Sequence, residues 1–234
     1  MKNVITCKNC NNENPYFSFI CKSCSSYLRE RVVNIDLWYT IGQLVESPTK
    51  AFSQIIHAEH KNFIFFLSFL MGIKFFVNSL ILSEPVFKGG NIFSNISPVF
   101  GMSVIGFFLV IVLFSYAFTA FTKILKVKTR FKDNLSVFIY SQTPIIFSLV
   151  FLLPVELVLF GGFLFSANPS PFLLKPTPAL VLSIMELIMF LWAVILGFAA
   201  TYTATRSKVY SIIVTLTLNL LLMGFMLLTC GLFS

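Results

Sequence analysis

Hydrophobic and polar positions fall in blocks along this chain. No apolar run occupies the first thirty residues. Between Asn34 and Val45, Leu37, Trp38, Ile41, Leu44 and Val45 recur at helical spacing, while Asp36, Gln43 and Glu46 fall elsewhere around the turn. This predicts an amphipathic helix with an aromatic anchor. Ser47 and Pro48 then read as a new start, an N-cap with proline at the first helical position, leading through Phe52, Ile55 and Ile56. Both helices are expected at membrane headgroup level; the alternative is soluble helices packed on the N-terminal segment. Five long apolar stretches follow: Phe63 to Leu82, Val99 to Thr122, Val137 to Phe165, Ala179 to Thr205 and Val209 to Phe233. Each is long enough to cross a bilayer. The third is overlong and holds Pro144 and Pro154, which predicts a bent helix or a shallow helical piece ahead of the true crossing.

Composition agrees. With 57% hydrophobic and 11% charged residues over 234 positions, the apolar surface exceeds what one soluble core buries. No basic start with an apolar run and small-residue cleavage site is present, so the first crossing is expected to direct insertion itself. The net charge of +8 is carried mostly between hydrophobic segments. There it would orient the chain and meet anionic headgroups, so nucleic acid is not an expected partner. Arg29, Arg31, Lys50 and Lys61 precede the first crossing, Lys123, Lys126, Lys128, Arg130 and Lys132 fill the second connection, and Arg206 and Lys208 the fourth. The intervening connections each offer one lysine, Lys88 or Lys175. The positive-inside rule then places the N-terminus in the cytoplasm and the C-terminus outside. Asn95-Ile96-Ser97 becomes an outward sequon, relevant only in a eukaryotic secretory membrane.

Two Cys-x-x-Cys pairs, Cys7 with Cys10 and Cys21 with Cys24, stand ahead of all this. Zinc takes four tetrahedral ligands, and each two-residue gap lets a tight turn present two thiolates to one ion. The ten residues between the pairs leave room for a short hairpin. So small a segment cannot fold on apolar contacts alone, so bound Zn2+ would supply folding free energy, with no open position for catalysis. Two disulfides on the opposite side of the membrane, or a redox dithiol, are the alternatives. A cytosolic N-terminus favours reduced, metal-ready thiols. Cys230 reads as a buried bystander. His57, Glu59 and His60 do not form a metalloprotease motif and read as a polar helix face at the interface. The fold class is therefore an all-α polytopic membrane protein: a four-cysteine zinc ribbon over residues 1–30, linker and amphipathic helices over 31–62, and five transmembrane helices over 63–234.

Three formally charged residues fall inside the crossings: Lys74, Glu156 and Glu186. At about 1.5 Å rise per residue, Lys74 lies roughly 16 Å from the cytoplasmic start of its helix and Glu186 roughly 10 Å below the outer start of its own, so the depths nearly coincide. Pairing would offset the desolvation cost, with Asn78 one turn beyond Lys74 completing a polar patch. The patch reads as a buried bridge between helices, as a lysine reaching towards the headgroups, or as the lining of a path for an ion or polar solute. Glu156, nearer the outer end of its segment, reads as facing water. Ala193, Gly197, Thr201 and Thr205 form a small-residue stripe expected to meet another helix, with a homodimer face as alternative.

CKNCNNENPYFSFICKSCSSYL resembles short zinc ribbons at the start of many bacterial membrane proteins. Asn11 and Ser25 stand where such ribbons often carry glycine. Asparagine suits the left-handed conformation this turn wants, and Ser25 fits it less well. DLWYTIGQLVESPTKAFSQII, with its Ser47, Pro48, Lys50, Ala51 and Phe52 cluster, and YSQTP around Pro144 resemble the Yip family of Ypt/Rab-interacting membrane proteins over Asp36 to Phe233. The resemblance implies five transmembrane helices without a known active site. The acidic cytoplasmic motifs of the eukaryotic members are not apparent, so a Rab connection is not carried over. No Gly-x-Ser-x-Gly, phosphate-binding glycine loop or metalloprotease motif points to an enzyme. The expected function is a membrane scaffold or adaptor in the bacterial cytoplasmic membrane, with lipid around its helices and a protein partner at its cytoplasmic head. A homo-oligomer stays open. The alternative is a transporter or permease component using Lys74 and Glu186.

Overall fold

The computed structural model describes residues 3–86 and 92–231. Lys88 and the side chain of the sequon residue Asn95 lie outside this description. The chain is 74% helical with almost no sheet, and among the described residues five helical stretches are long and apolar enough to cross a membrane, as expected.

Two strands open the chain: β1 (Val4–Thr6) and β2 (Glu13–Pro15), antiparallel with Val4 opposite Pro15 and Thr6 opposite Glu13. Helix α1 (Leu37–Glu46) starts at Asp36, whose carboxylate accepts from the Tyr39 amide at 3.0 Å. Helix α2 (Pro48–His57) follows directly. Ser47 is its N-cap with Pro48 in the first turn, as expected, although the Ser47 side chain makes no capping hydrogen bond. It closes α1 as well as opening α2, and its amide is spent on the Gln43 carbonyl at 2.8 Å. The crossings use α3 (Ile64–Val86), α4 (Ile92–Ile124), α9 (Pro176–Thr205) and α10 (Lys208–Gly231).

The remaining crossing, Thr143–Phe165, is segmented. Ahead of it lies α5 (Phe131–Ser141), the separate helical piece that the prolines predicted, so the crossing begins at Thr143 rather than Val137. Within it run α6 (Thr143–Phe147), a π-helical turn (Ser148–Leu152), α7 (Leu153–Phe160) and a 3-10 turn (Gly161–Phe165). Pro144 and Pro154 each sit in the first turn of a helix, where a missing amide costs least. Pro154 cannot donate to the Val150 carbonyl, and the turn before it widens to π geometry. A short helix, α8 (Pro171–Leu174), precedes α9.

The chain divides into two compact units, each drawing on α4, α9 and α10. The first comprises Met1–Ile64, Ile111–Ser141 and Ile195–Thr217. Its core joins Phe52 and Ile55 of α2 to α5, whose residues from Asp133 to Ser141 are all buried. Phe138 packs edge-on against Phe114 and Phe118 of α4. The second comprises Phe65–Val110, Gln142–Val194 and Leu218–Ser234. Phe75 of α3 stacks near Phe107 and Phe225, and Ser79 shares a 2.6 Å hydrogen bond with Thr229 of α10.

Helices approach closely where side chains are smallest. A Cβ on Gly72 would lie 2.5 Å from Val104 Cα, and one on Gly197 would lie 2.9 Å from Thr215 Cγ2. Ala193, Gly197, Thr201 and Thr205 are all buried within the chain, so their stripe meets a helix as expected. That burial removes it as a face for a second copy. Outward, α4, α9 and α10 expose Leu113, Tyr116, Leu187, Leu191, Leu220 and Leu228. Such a surface suits hydrocarbon and not water.

Candidate metal centre and intramembrane polar cluster

Each cysteine pair sits on a turn closed in the same way. The Asn11 amide donates to the Cys7 carbonyl at 3.0 Å and the Ser25 amide to the Cys21 carbonyl at 3.1 Å; both donors have left-handed backbone, φ 55° and 57°. The Asn11 and Ser25 positions therefore have the conformation expected of them, despite the lack of glycine. Strands β1 and β2 bring the first turn back on itself, and a bridge between Ile20 and Tyr27 does the same for the second.

All four sulfur atoms lie within 4.8 Å of one another, with Cys7 Sγ 3.6 Å from Cys24 Sγ and Cys10 Sγ 3.5 Å from Cys21 Sγ. A tetrahedral ion with bonds of about 2.3 Å holds its sulfurs about 3.8 Å apart, so the four thiols can hold a metal ion. Among the described residues this is the His, Cys, Asp or Glu group with that capacity. Ser26 Oγ lies 3.1 Å from both Cys7 Sγ and Cys24 Sγ, and Asn14 Nδ2 donates to Cys21 Sγ at 3.4 Å. These contacts favour thiolates. The Ser26 hydroxyl and amide draw Cys24 down to about 6, and Ser26 lowers Cys7 as well. Cys10 accepts from the Asn12 amide, which favours its thiolate, but the neighbouring Cys24 sulfur and burial push it up to about 12. A bound cation would be what keeps all four sulfurs deprotonated in so small a volume.

The knob is fixed to the first unit. Tyr16 Oη hydrogen-bonds Ser53 of α2 at 2.6 Å, and its ring lies 4.8 Å from that of His57. His57 Nε2 lies 3.2 Å from the Tyr16 carbonyl oxygen. Arg29 donates to the carbonyls of Phe17 and His57, both at 3.2 Å, and Arg130 covers the Phe17 ring at 4.6 Å. The amide of Asn3 reaches the Thr203 and Ala204 carbonyls at the end of α9. Burial, then the nearby Arg29 charge, lowers His57 to about 4. Glu59 pairs with Arg31 at 2.9 Å and His60 is exposed, so the three residues expected to form one polar face divide among separate tasks. Packing of α2 on the knob matches the alternative given to the headgroup reading. On α1, Trp38 is 80% exposed and remains available as an anchor.

Charge counting for topology missed a buried network in this unit. Asp133 accepts from Lys61 Nζ at 3.0 Å and from Arg130 Nε at 2.7 Å. Lys61 also donates to the Ile55 and Ile56 carbonyls, and Arg130 to that of Ile56 at 3.2 Å, so both cations close the end of α2. Burial pulls Lys61 below its ordinary value while Asp133 acts in the opposite direction. The signal was an acid three residues after Arg130, in the first turn of α5.

In the second unit Lys74, 1% exposed, donates to Glu186 Oε1 at 2.7 Å, and Ser148 in the π-helical turn donates to Oε2 at 2.9 Å. The coincident depths thus correspond to a pair. Asn78 and Glu186 line two cavities, one of about 270 Å³ that also includes Lys74 and Glu156, and one of about 290 Å³ that includes Gln142 and Asn219. Glu156 does not face open water as expected. It is buried because α7 turns it into the first cavity.

Five apolar crossings and an outward apolar surface define a polytopic integral membrane protein. The family model of the Yip1 domain matches residues 42–228, and the chain belongs to that family. The match begins after the cysteine knob. This is not known as a family of enzymes. No curated protein and no solved structure matches the chain.

Proposed function

We propose that this protein is a non-enzymatic scaffold or adaptor of the bacterial cytoplasmic membrane, with a trafficking or membrane-organising role of the kind its family suggests. Residues 1–30 are a zinc ribbon on the cytoplasmic side, with Cys7, Cys10, Cys21 and Cys24 as ligands. Residues 31–62 link it to a membrane domain over 63–234. Bound zinc would be four-coordinate and structural, and the chain's part is to orient four sulfurs and supply donors from Ser26 and Asn14. The observation that carries this reading is the knob itself, four sulfurs within 4.8 Å on two matched turns. A rigid surface held against α2 is suited to recruiting a protein partner. The basic segments before the first crossing and in the second and fourth connections support its cytoplasmic side.

Affinity capture from intact membranes tests the proposal by comparing wild type with a Cys7→Ser and Cys10→Ser variant that still inserts. Partners lost from the variant support it; an identical partner set contradicts it. A second reading, a permease component, is favoured by the two cavities that share Glu186 and Asn78. Liposome flux abolished by Lys74→Met would support that reading, and unchanged flux would remove its main support.

A further inference from the structure

Two carboxylates and one lysine line the same cavity in the second unit, but only one carboxylate is bonded to the lysine. Both oxygens of Glu186 are satisfied, Oε1 by Lys74 and Oε2 by Ser148. Glu156 is different: at 7% exposed, its Oε2 has no hydrogen-bond partner among the described residues. It lines the cavity of about 270 Å³, whose polar wall also holds Lys74, Asn78 and Glu186. Phe160, Leu164, Phe172 and Leu182 make much of the remaining wall.

This lining selects among ligands. Glu156 can be ionised in this cavity only with a partner, and Lys74 is already held by Glu186, so a cation entering from outside the chain is what would match it. An anion would meet two carboxylates, and a neutral apolar molecule would leave Glu156 unmatched. A bare inorganic cation would leave the apolar wall uncovered. The cavity is smaller than the roughly 300–1,000 Å³ of typical ligand sites, which favours a small molecule over a whole phospholipid. We infer that this cavity binds a small amphipathic monocation, a primary amine with an aromatic or branched aliphatic body, using Glu156 as counterion. The inference concerns occupancy and not passage, so it stands apart from both the scaffold and permease readings.

The test is saturable binding of phenethylamine to the full-length protein in nanodiscs, followed by saturation-transfer NMR. Phenethyl alcohol serves as the neutral counterpart and sodium chloride as the inorganic competitor. The amine is expected to bind at least about tenfold more tightly than the alcohol, a difference of about 1.4 kcal/mol. Glu156→Gln should weaken the amine to the level of the alcohol. Ser183→Leu, which fills the cavity from α9 and leaves every charge in place, should abolish saturable binding of the amine. Equal affinity for amine and alcohol, amine binding unchanged in Glu156→Gln, complete displacement by sodium alone, or no saturable amine binding would each overturn the inference. Should Glu156→Gln fail to fold, retained amine binding in Ser183→Leu overturns it instead.

Discussion

The cysteine knob and the Lys74–Glu186 pair both concentrate polar groups in a small volume, by opposite routes. In the knob each pair of sulfurs is aimed by its own turn, closed by an amide one residue after the second cysteine. The lysine and glutamate are 112 residues apart and meet through helix packing alone. A locally built site can be taken apart without disturbing the helices. A site built by packing costs stability when either member is changed.

The sharpest contrast comes from removing metal. Structural zinc contributes about 10–16 kcal/mol to small domains, so chelation or Cys7→Ser with Cys10→Ser should unfold residues 1–30 and leave the crossings intact. Limited proteolysis should then cut the knob rapidly with no new cuts in the crossings. Next in size is Lys74→Met, which leaves Glu186, 28% exposed, without its buried cation and should cost up to about 3 kcal/mol, the low end for a buried pair; adding Glu186→Leu should recover most of that loss. Thermal unfolding in detergent measures both, and a single variant as stable as wild type would show that the ion pair does not hold these helices together.

A smaller effect is expected from pH where the knob meets α2. Folded His57 titrates at about 4 instead of its ordinary 6.5, because burial and then Arg29 oppose its charge. Between those values the unfolded state takes up a proton that the folded state refuses. His57's contribution to stability is therefore greatest above about 6.5, falls as pH drops from 6.5 toward 4, and levels off below. His57→Phe should flatten this window in a proteolysis assay of the knob. Smaller still is Ser25→Gly, which relieves a left-handed residue and should stabilise the knob by about 1 kcal/mol, read as several-fold tighter zinc retention against a chelator. Asn11→Gly should gain less, because asparagine tolerates that conformation.

The same contrast explains what was legible in the chain. The clustering of the four cysteines and the left-handed turns at Asn11 and Ser25 depend on neighbours in sequence, and the crossings depend on apolar run length. All could be read directly. Pro144 and Pro154 foretold the segmented third crossing, though not the π-helical turn that sets Ser148 against Glu186. Depth along two helices suggested the Lys74 pair. It could not reveal that Glu156 turns inward, since that depends on how α7 is rotated. Lys61 and Arg130 were counted only by sign, and their shared acid, Asp133, emerges when α5 packs against α2. Nothing in the order of residues shows that the Tyr16 hydroxyl fastens the knob to Ser53, because that contact arises when α2 packs against it.

The central claim is the thiolate-held metal knob, and elemental analysis of the freshly purified full-length protein, with parallel counting of reactive thiols, tests it most directly. One zinc per chain in wild type, and none in the Cys7→Ser and Cys10→Ser variant, is the predicted result. Metal-free wild-type protein with its four N-terminal cysteines joined as disulfides would contradict it.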